Sequence, residues 1–387
     1  MEFFGLIGER LWWLLSYAIP FLAVLTVVVF IHELGHFLVG RWCGVGVQAF
    51  SIGFGPELFG FNDRHGTRWK LSAIPLGGYV KFAGDINGAS VPDAATLARM
   101  TEAERAVSFH HKTVAQRAAV VAAGPIANFL LAIAIFSGIT YVAGRQILAP
   151  RVEVVQPGSA AERAGFKPGD LVLSIDGRSI ASFTDMQRIV SASAEDEISV
   201  TIDRDGRQMT LTAVPDLKET ETPFGKQRIG LLGLQASRAP DAVKHVRYGL
   251  VESVRLGAYE TWYVVERTFG YIGRLIVGRE SADQLSGPIR IAQVSGQVAN
   301  LGGPSGLVSL IAVLSVSIGL INLFPIPLLD GGHLLFYAIE ALRGRPLSER
   351  AQEIGFRIGL AIVVMLMLFA TWNDIVHLGT SYVSKGT

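Results

Sequence analysis

The chain has 387 residues, 50% of them hydrophobic and 17% charged, with a formal net charge of +1 and a mean hydropathy of +0.39. That balance describes an integral membrane protein carrying some soluble mass, and the near-zero charge excludes an electrostatic nucleic-acid binder. The single cysteine, Cys43, excludes an internal disulfide and any cysteine-cluster metal site.

The N-terminus lacks the basic segment of a cleavable signal, and Glu9 precedes the apolar run, so this segment is expected to stay with the mature protein. A first membrane span is predicted over residues 14–39, with Pro20 tolerated near its outer end. It leads into FIHELGHFLVGRW at residues 30–42. His32 and His36 stand four apart, share one helix face and can aim two imidazoles at one metal ion. Glu33 lies beside the first, where a carboxylate can take a proton from metal-activated water. Ionisable groups at the end of such a span are costly unless they face a protein interior. The plain alternative is a water-paired histidine pair on an ordinary membrane helix. Cys43 reads as a small apolar residue at the membrane boundary.

Residues 41–117 are too polar to cross a bilayer. Strands are predicted over 45–52, 69–74 and 78–82, punctuated by Gly53, Gly55-Pro56 and Pro75. Gly77, Gly78, Tyr79, Val80, Lys81 and Phe82 alternate as one strand of a hairpin. Residues 90–112 read as loop and helix, with a helix start at Thr101. A second span is predicted over 118–144. Inside it, Gly124-Pro125-Ile126-Ala127-Asn128 is either a packing kink or a close approach to the histidine helix that lends Asn128 as a polar contact.

From 151 to 235 the composition turns soluble and β-rich. PGSAAERAGFKPGDLVLSIDG, at residues 157–177, sets a short helix, a tight turn, a strand and an Asp-Gly hairpin in succession. A helix over 183–193 and a second hairpin at Asp205-Gly206 follow. This order resembles a PDZ domain of the rearranged bacterial kind. The resemblance implies an extended peptide ligand added at a sheet edge, with Gly230 and Leu231 in the loop that holds its carboxylate; a domain that only blocks access is the alternative.

Residues 245–277 place apolar residues at helical spacing among charges, as an interfacial amphipathic helix would, with Trp262 and Tyr263 at headgroup level. A surface helix of the soluble domain is the other reading. Breaks at Ser286-Gly287-Pro288 and Gly302-Gly303-Pro304 precede a third span over 307–329. It runs through Asn322, Pro325 and Pro327 to Asp330. Two prolines must unwind a helix, which is viable in a membrane only where protein or a water-filled cavity surrounds the freed carbonyls. A fourth span is predicted over 358–371, continuing toward 376.

The expected architecture is therefore a polytopic α-helical membrane protein of four transmembrane helices with an inserted α+β PDZ domain and a membrane-associated β-hairpin region. Its parts are a first membrane half (1–144), the PDZ domain (151–235), an amphipathic juxtamembrane segment (236–306) and a second membrane half (307–387). Basic residues in the first and third connecting loops put those loops in the cytoplasm and both termini and the PDZ domain outside. His32, His36 and Asp330 then fall near the cytoplasmic ends of their spans. Two imidazoles and a carboxylate are what a catalytic zinc uses, with a fourth position open. Asn322 could serve a developing oxyanion. Asp330 could instead be a helix cap, and His333 and His65 read as ordinary polar residues.

HELGH, GPIAN, the PDZ pattern and NLFPIPLLDGG together resemble the site-2 protease family of intramembrane zinc metalloproteases, in a form with room for one PDZ domain. The resemblance implies one zinc ion held by His32, His36 and Asp330, with Glu33 as general base. It also implies that residues 77–82 pair with an unwound substrate segment. The implied substrates are single-span membrane proteins, an anti-sigma factor already trimmed by another protease among them, in a bacterial inner membrane with the PDZ domain periplasmic. A membrane zinc scaffold or transporter with a PDZ adaptor is the competing class; it would need ionisable residues at successive depths on several spans.

Overall fold

The structure, a computed structural model, describes residues 2–85, 99–222, 225–236 and 243–385; residues 90–98 of the predicted polar loop lie outside the described residues. The chain divides into two units, Met1–Ser137 with Val254–Gly270 and Ser286–Thr387, and Gly138–Ser253 with Tyr271–Leu285.

In the first unit, α1 (Glu2–Trp42) is continuous through Pro20. It is followed by two long antiparallel strands, β1 (Val47–Asn62) and β2 (Arg68–Phe82). Both outrun the predicted segments because they bend instead of ending. Gly53 and Gly55 adopt φ of 86° and 85°, a region closed to most side chains, and Gly77 sits at 117°. The bends let residues 47–52 pair with 68–71 on one side and with 78–82 on the other. Segment 78–82 is thus an edge, and no strand pairs with its other side among the described residues. Short α2 (Glu102–Val107) begins at the predicted Thr101, whose side chain closes a full capping box with Glu104.

The second predicted span is α3 (Val114–Ala143). The third is longer and ends earlier than predicted. α7 (Pro288–Asn322) joins two helical pieces at Gly303, whose φ of 57° and ψ of −151° break the helix just before Pro304. It stops at Asn322 rather than 329, because Pro325 and Pro327 cannot donate to a continuing ladder and clash with the preceding turn. The helix before Gly303 also divides the segment predicted as one juxtamembrane region. After α8 (Asp330–Arg343), α9 (Glu349–Lys385) starts nine residues before the fourth predicted span. Among the described residues four helical stretches are long and apolar enough to cross a membrane: Leu15–Trp42, Val114–Ala143, Pro288–Asn322 and Glu349–Leu378. The molecule is a polytopic helical membrane protein. One charge pair went unforeseen. Arg290 and Asp374, each 1% exposed, meet at 3.7 Å, and Asp374 accepts the Gly287 and Arg290 amides at 3.0 Å, capping α7 from α9.

The second unit is a β-rich fold around one core of Val152, Val172, Ile175, Met186, Val200, Ile202 and their neighbours. Its elements are β3 (Arg145–Leu148), β4 (Val152–Val155), α4 (Ala160–Arg163), β5 (Leu171–Ile175), β6 (Arg178–Ser179), α5 (Phe183–Ala192), β7 (Ile198–Arg204), β8 (Arg207–Ala213), β9 (Asp216–Thr222), β10 (Gly225–Leu231), β11 (Leu234–Ala236) and β12 (Val243–Val246). Both Asp-Gly hairpins form as predicted, with positive φ at Asp176, Gly177, Asp205 and Gly206. The sheet order β6-β5-β7-β8 is accompanied by the pairs β4 with β11, β9 with β10 and β3 with β12. The last pair lies outside the predicted 151–235, because β3 and β12 close the two ends of the insert against each other. Asp170, with its side chain fully buried, receives Arg204 Nε at 2.7 Å and Nη2 at 2.8 Å. Burial would push its carboxyl up, but Arg204 and the Lys167 amide outweigh it and hold the group below the usual carboxylate range. α6 (Leu250–Ile276), the predicted amphipathic helix, exposes Val251, Trp262 and Ile276.

Candidate metal centre

His32 and His36 lie on one face of α1 and are buried, as their four-residue spacing dictates. Asp330 is the first residue of α8 and is brought to them by the turns that follow Asn322. Its place depends on glycine. A Cβ on Gly331 would strike the carbonyls of Leu323 and Phe324, and one on Gly332 the carbonyl of Ile326. Leu328 holds φ at 112°, strained for a side-chain-bearing residue, as the chain turns into Asp330. The capping alternative does not hold: Leu329 occupies the N-cap position, and no side chain caps that helix end.

Three donor atoms converge. His32 Nε2 is 3.2 Å from His36 Nε2 and 3.1 Å from Asp330 Oδ2, and His36 Nε2 is 3.6 Å from the same oxygen. Two ligands about 2.0–2.1 Å from a tetrahedral zinc stand roughly 3.3 Å apart. The buried Asp330 Oδ2 has no hydrogen-bond partner. His36 Nδ1 lies 2.9 Å from the Val120 carbonyl, which fixes its proton there and leaves the Nε2 lone pair facing the other two donors. The three residues fit zinc in number, donor type and spacing.

Two elements shape the surroundings. α3 comes close enough that a Cβ on Gly124 would collide with His36 Nε2, while Gly35 on α1 faces the Ala123 carbonyl at similar range. Asn128, wholly buried, lies 3.2 Å from His32 Nδ1. The GPIAN stretch is thus a close approach rather than a mere kink. On the other side, β2 passes beside Glu33: a Cβ on Gly78 would sit 3.2 Å from Glu33 Cγ. The sheet is tied to the end of α1 through Asp63, which accepts from Arg41, Trp69 Nε1 and the Thr67 and His65 amides. Burial works against its ionisation, yet those bonds hold its pKa at about 2.

Of the other predicted residues, Tyr79 stacks on Phe54 with ring centroids 6.0 Å apart, Lys81 pairs with Ala49 and Phe82 with Val47. Asn322 ends α7 and Pro325 and Pro327 lie in the turns before Asp330. Gly230 and Leu231 close β10 in the soluble unit. Gly230 is a packing glycine there, since a Cβ would run into the Val190 carbonyl at the end of α5. The sequence reading missed the Val120 carbonyl, a backbone group that carries no residue signature.

Two histidines on a helix apolar enough to cross a membrane, a carboxylate brought to them and an adjacent glutamate are the donor set and base of a membrane metalloprotease. The sequence description of peptidase family M50 matches residues 20–366. A provisionally named zinc metalloprotease of Agrobacterium fabrum is 53% identical over 363 residues, covering 94% of this chain and 96% of its own. One of Rhizobium meliloti is 54% identical, covering 93% and 97%. The metalloprotease MmpA of Caulobacter vibrioides is 44% identical, covering 92% and 94%. Among solved structures, a PDZ domain from Listeria monocytogenes matches 23% of this chain and 87% of its own at 14% identity, with a TM-score of 0.18 that bears no weight. The chain belongs to peptidase family M50, the site-2 proteases, and is a zinc metalloprotease.

Proposed function

We propose that this protease cuts the membrane-spanning segment of single-span proteins, with His32, His36 and Asp330 holding zinc and Glu33 as general base. One observation carries the reading: the strand segment 78–82, which no further strand covers among the described residues, passes beside Glu33, with a Cβ on Gly78 only 3.2 Å from Glu33 Cγ. A helical substrate hides its peptide bonds in its own ladder. An edge strand offers an unwound segment replacement hydrogen bonds beside the catalytic carboxylate.

Zinc, when bound, supplies Lewis acidity and lowers the pKa of water to about 7. Glu33 takes the proton of the attacking water and passes it to the leaving amide nitrogen. Asn322 donates to the oxygen that gains charge on the attacked carbonyl. Pro325 and Pro327 keep the chain out of helix so that Asp330 can turn toward the histidines. The β-rich unit, beside the end of β10 at Gly230 and Leu231 rather than through a loop there, binds the new end of a trimmed substrate or turns away untrimmed ones.

We place the enzyme in a bacterial inner membrane, with the PDZ-like domain periplasmic and the metal near the cytoplasmic side, on the distribution of basic loop residues. A trimmed anti-sigma factor as substrate rests on the family resemblance alone. The test is reconstitution in vesicles with a labelled single-span protein, with and without chelator. Products whose masses place the cut inside the span, lost with chelator and restored by zinc, are expected. A cut confined to the flanking soluble segments would overturn the reading.

A further inference from the structure

The polar contact between α3 and the metal helix has a chemical consequence for His32. An imidazole that turns Nε2 toward a cation carries its proton on Nδ1, so Nδ1 becomes a donor and requires an acceptor. His36 has one, the Val120 carbonyl at 2.9 Å. At His32 the neighbour of Nδ1 is the Asn128 amide at 3.2 Å, drawn with its nitrogen toward the ring, while Asn128 Oδ1 is buried without a partner. The two ends of an amide have the same shape, and which one faces the ring is settled by the hydrogen bond it must make. Turned about its last torsion, the amide presents Oδ1 to Nδ1–H.

The backbone around Asn128 is fixed. Ser315 Oγ donates to its carbonyl at 2.8 Å, and Gly319 on α7 leaves only 3.2 Å between its would-be Cβ and the Asn128 Cβ. An amide rooted on this fixed backbone, with one buried acceptor next to a ligand ring, is built for a single partner.

We propose that Asn128 positions the zinc ligand His32, its Oδ1 accepting the Nδ1–H bond that sets the ring's tautomer and aims Nε2 at the metal. The inference rests on the zinc reading above. α3 thereby supports both histidines, His36 through a backbone carbonyl that no substitution removes and His32 through a side chain that one can.

The test is zinc affinity, read by chelator competition on the purified full-length chain, so that no turnover is involved. Asn128→Leu, which keeps the volume and removes the acceptor, should weaken zinc binding about 10–100-fold. Asn128→Asp, which can only accept, should bind within a few-fold of wild type. If Asn128→Leu does not fold, Asn128→Ser carries the same expectation as Leu, because its hydroxyl is too short to reach Nδ1. The metal-free variants are melted in parallel. A purely structural asparagine would lower that melting temperature and leave zinc affinity unchanged. Unchanged affinity in Asn128→Leu or Asn128→Ser beside tight wild-type binding overturns this inference alone, as does a loss in Asn128→Asp equal to that in Leu. Failure of the wild-type chain to bind zinc overturns the metal reading and this inference with it.

Discussion

The helical unit and the β-rich unit are specified by different kinds of information. Around His32, His36 and Asp330 the chain packs through glycines: Gly35 against Ala123, Gly124 against His36, Gly331 and Gly332 against the preceding turns, Gly359 against Pro327. Close backbone approach, rather than bulky interdigitation, sets where the histidines and the aspartate meet, as expected where lipid removes the usual apolar drive between helices. The β-rich unit instead buries Ile198, Val200 and Ile202 on alternating positions of β7 and turns at Asp-Gly pairs. Its fold follows from periodicity and would tolerate repacking. At Gly35, Gly124, Gly331 and Gly332 of the helical unit even one added methyl meets another atom.

That difference can be broken first at Gly124. Gly124→Ala adds one methyl where His36 Nε2 lies. The expected result is loss of zinc affinity by at least the roughly 10–100-fold that outer changes cost, read by metal analysis after dialysis. A methyl of the same size on an exposed glycine of the β-rich unit such as Gly158, which has nothing within 4 Å of its would-be Cβ, should leave zinc content untouched.

Asp374→Ala probes a second kind of fixed contact. It leaves Arg290 buried without its carboxylate and uncaps α7. Breaking a buried pair costs about 3–5 kcal/mol, so a clear drop in melting temperature in detergent is expected. A change of a degree or less would mean that water reaches the pair.

Removing the β-rich unit should do less. β3 and β12 pair Leu148 with Val243, so a short linker joining those two positions can close the gap. Zinc content and cleavage of a pre-trimmed substrate should persist, while an untrimmed substrate becomes cleavable. Continued rejection of the untrimmed form would defeat the gating role.

The smallest effect concerns Asp63. Its carboxyl is held at about 2 in the folded chain, against about 3.9 when free. A depressed carboxylate contributes stability that is complete above pH about 4 and lost as the pH falls toward 2. Asp63→Asn should therefore be the less stable protein at pH 7, with its melting temperature converging on that of wild type between pH 4 and 2. Parallel curves would remove Asp63 as an anchor of the sheet.

The clustering of His32, His36 and Asp330 was legible because the signals for it are local. His32 and His36 are fixed by helical spacing, and Asp330 was exposed by two prolines that forbid the helix to continue past Asn322. The four apolar helices and both Asp-Gly hairpins were legible for the same reason. What escaped notice depends on contacts between distant segments. The Val120 carbonyl carries no side-chain signature, and Arg290 was one arginine among several until Asp374 met it. Strands β1 and β2 were read as three short pieces because Gly53, Gly55 and Pro75 look like stops, while the strands run through them, with positive φ at Gly53 and Gly55. The β3–β12 pair was missed because nothing local marks two four-residue strands as partners.

The central claim is one zinc held by His32, His36 and Asp330, with Glu33 acting on water and not on the metal. Zinc content and turnover, measured side by side in Glu33→Gln and Asp330→Ala, test it most directly. Glu33→Gln should keep one zinc per chain and lose at least about two to four orders of magnitude in cleavage rate, and Asp330→Ala should lose both zinc and activity. Near-normal turnover by Glu33→Gln, or full zinc occupancy in Asp330→Ala, would contradict the account.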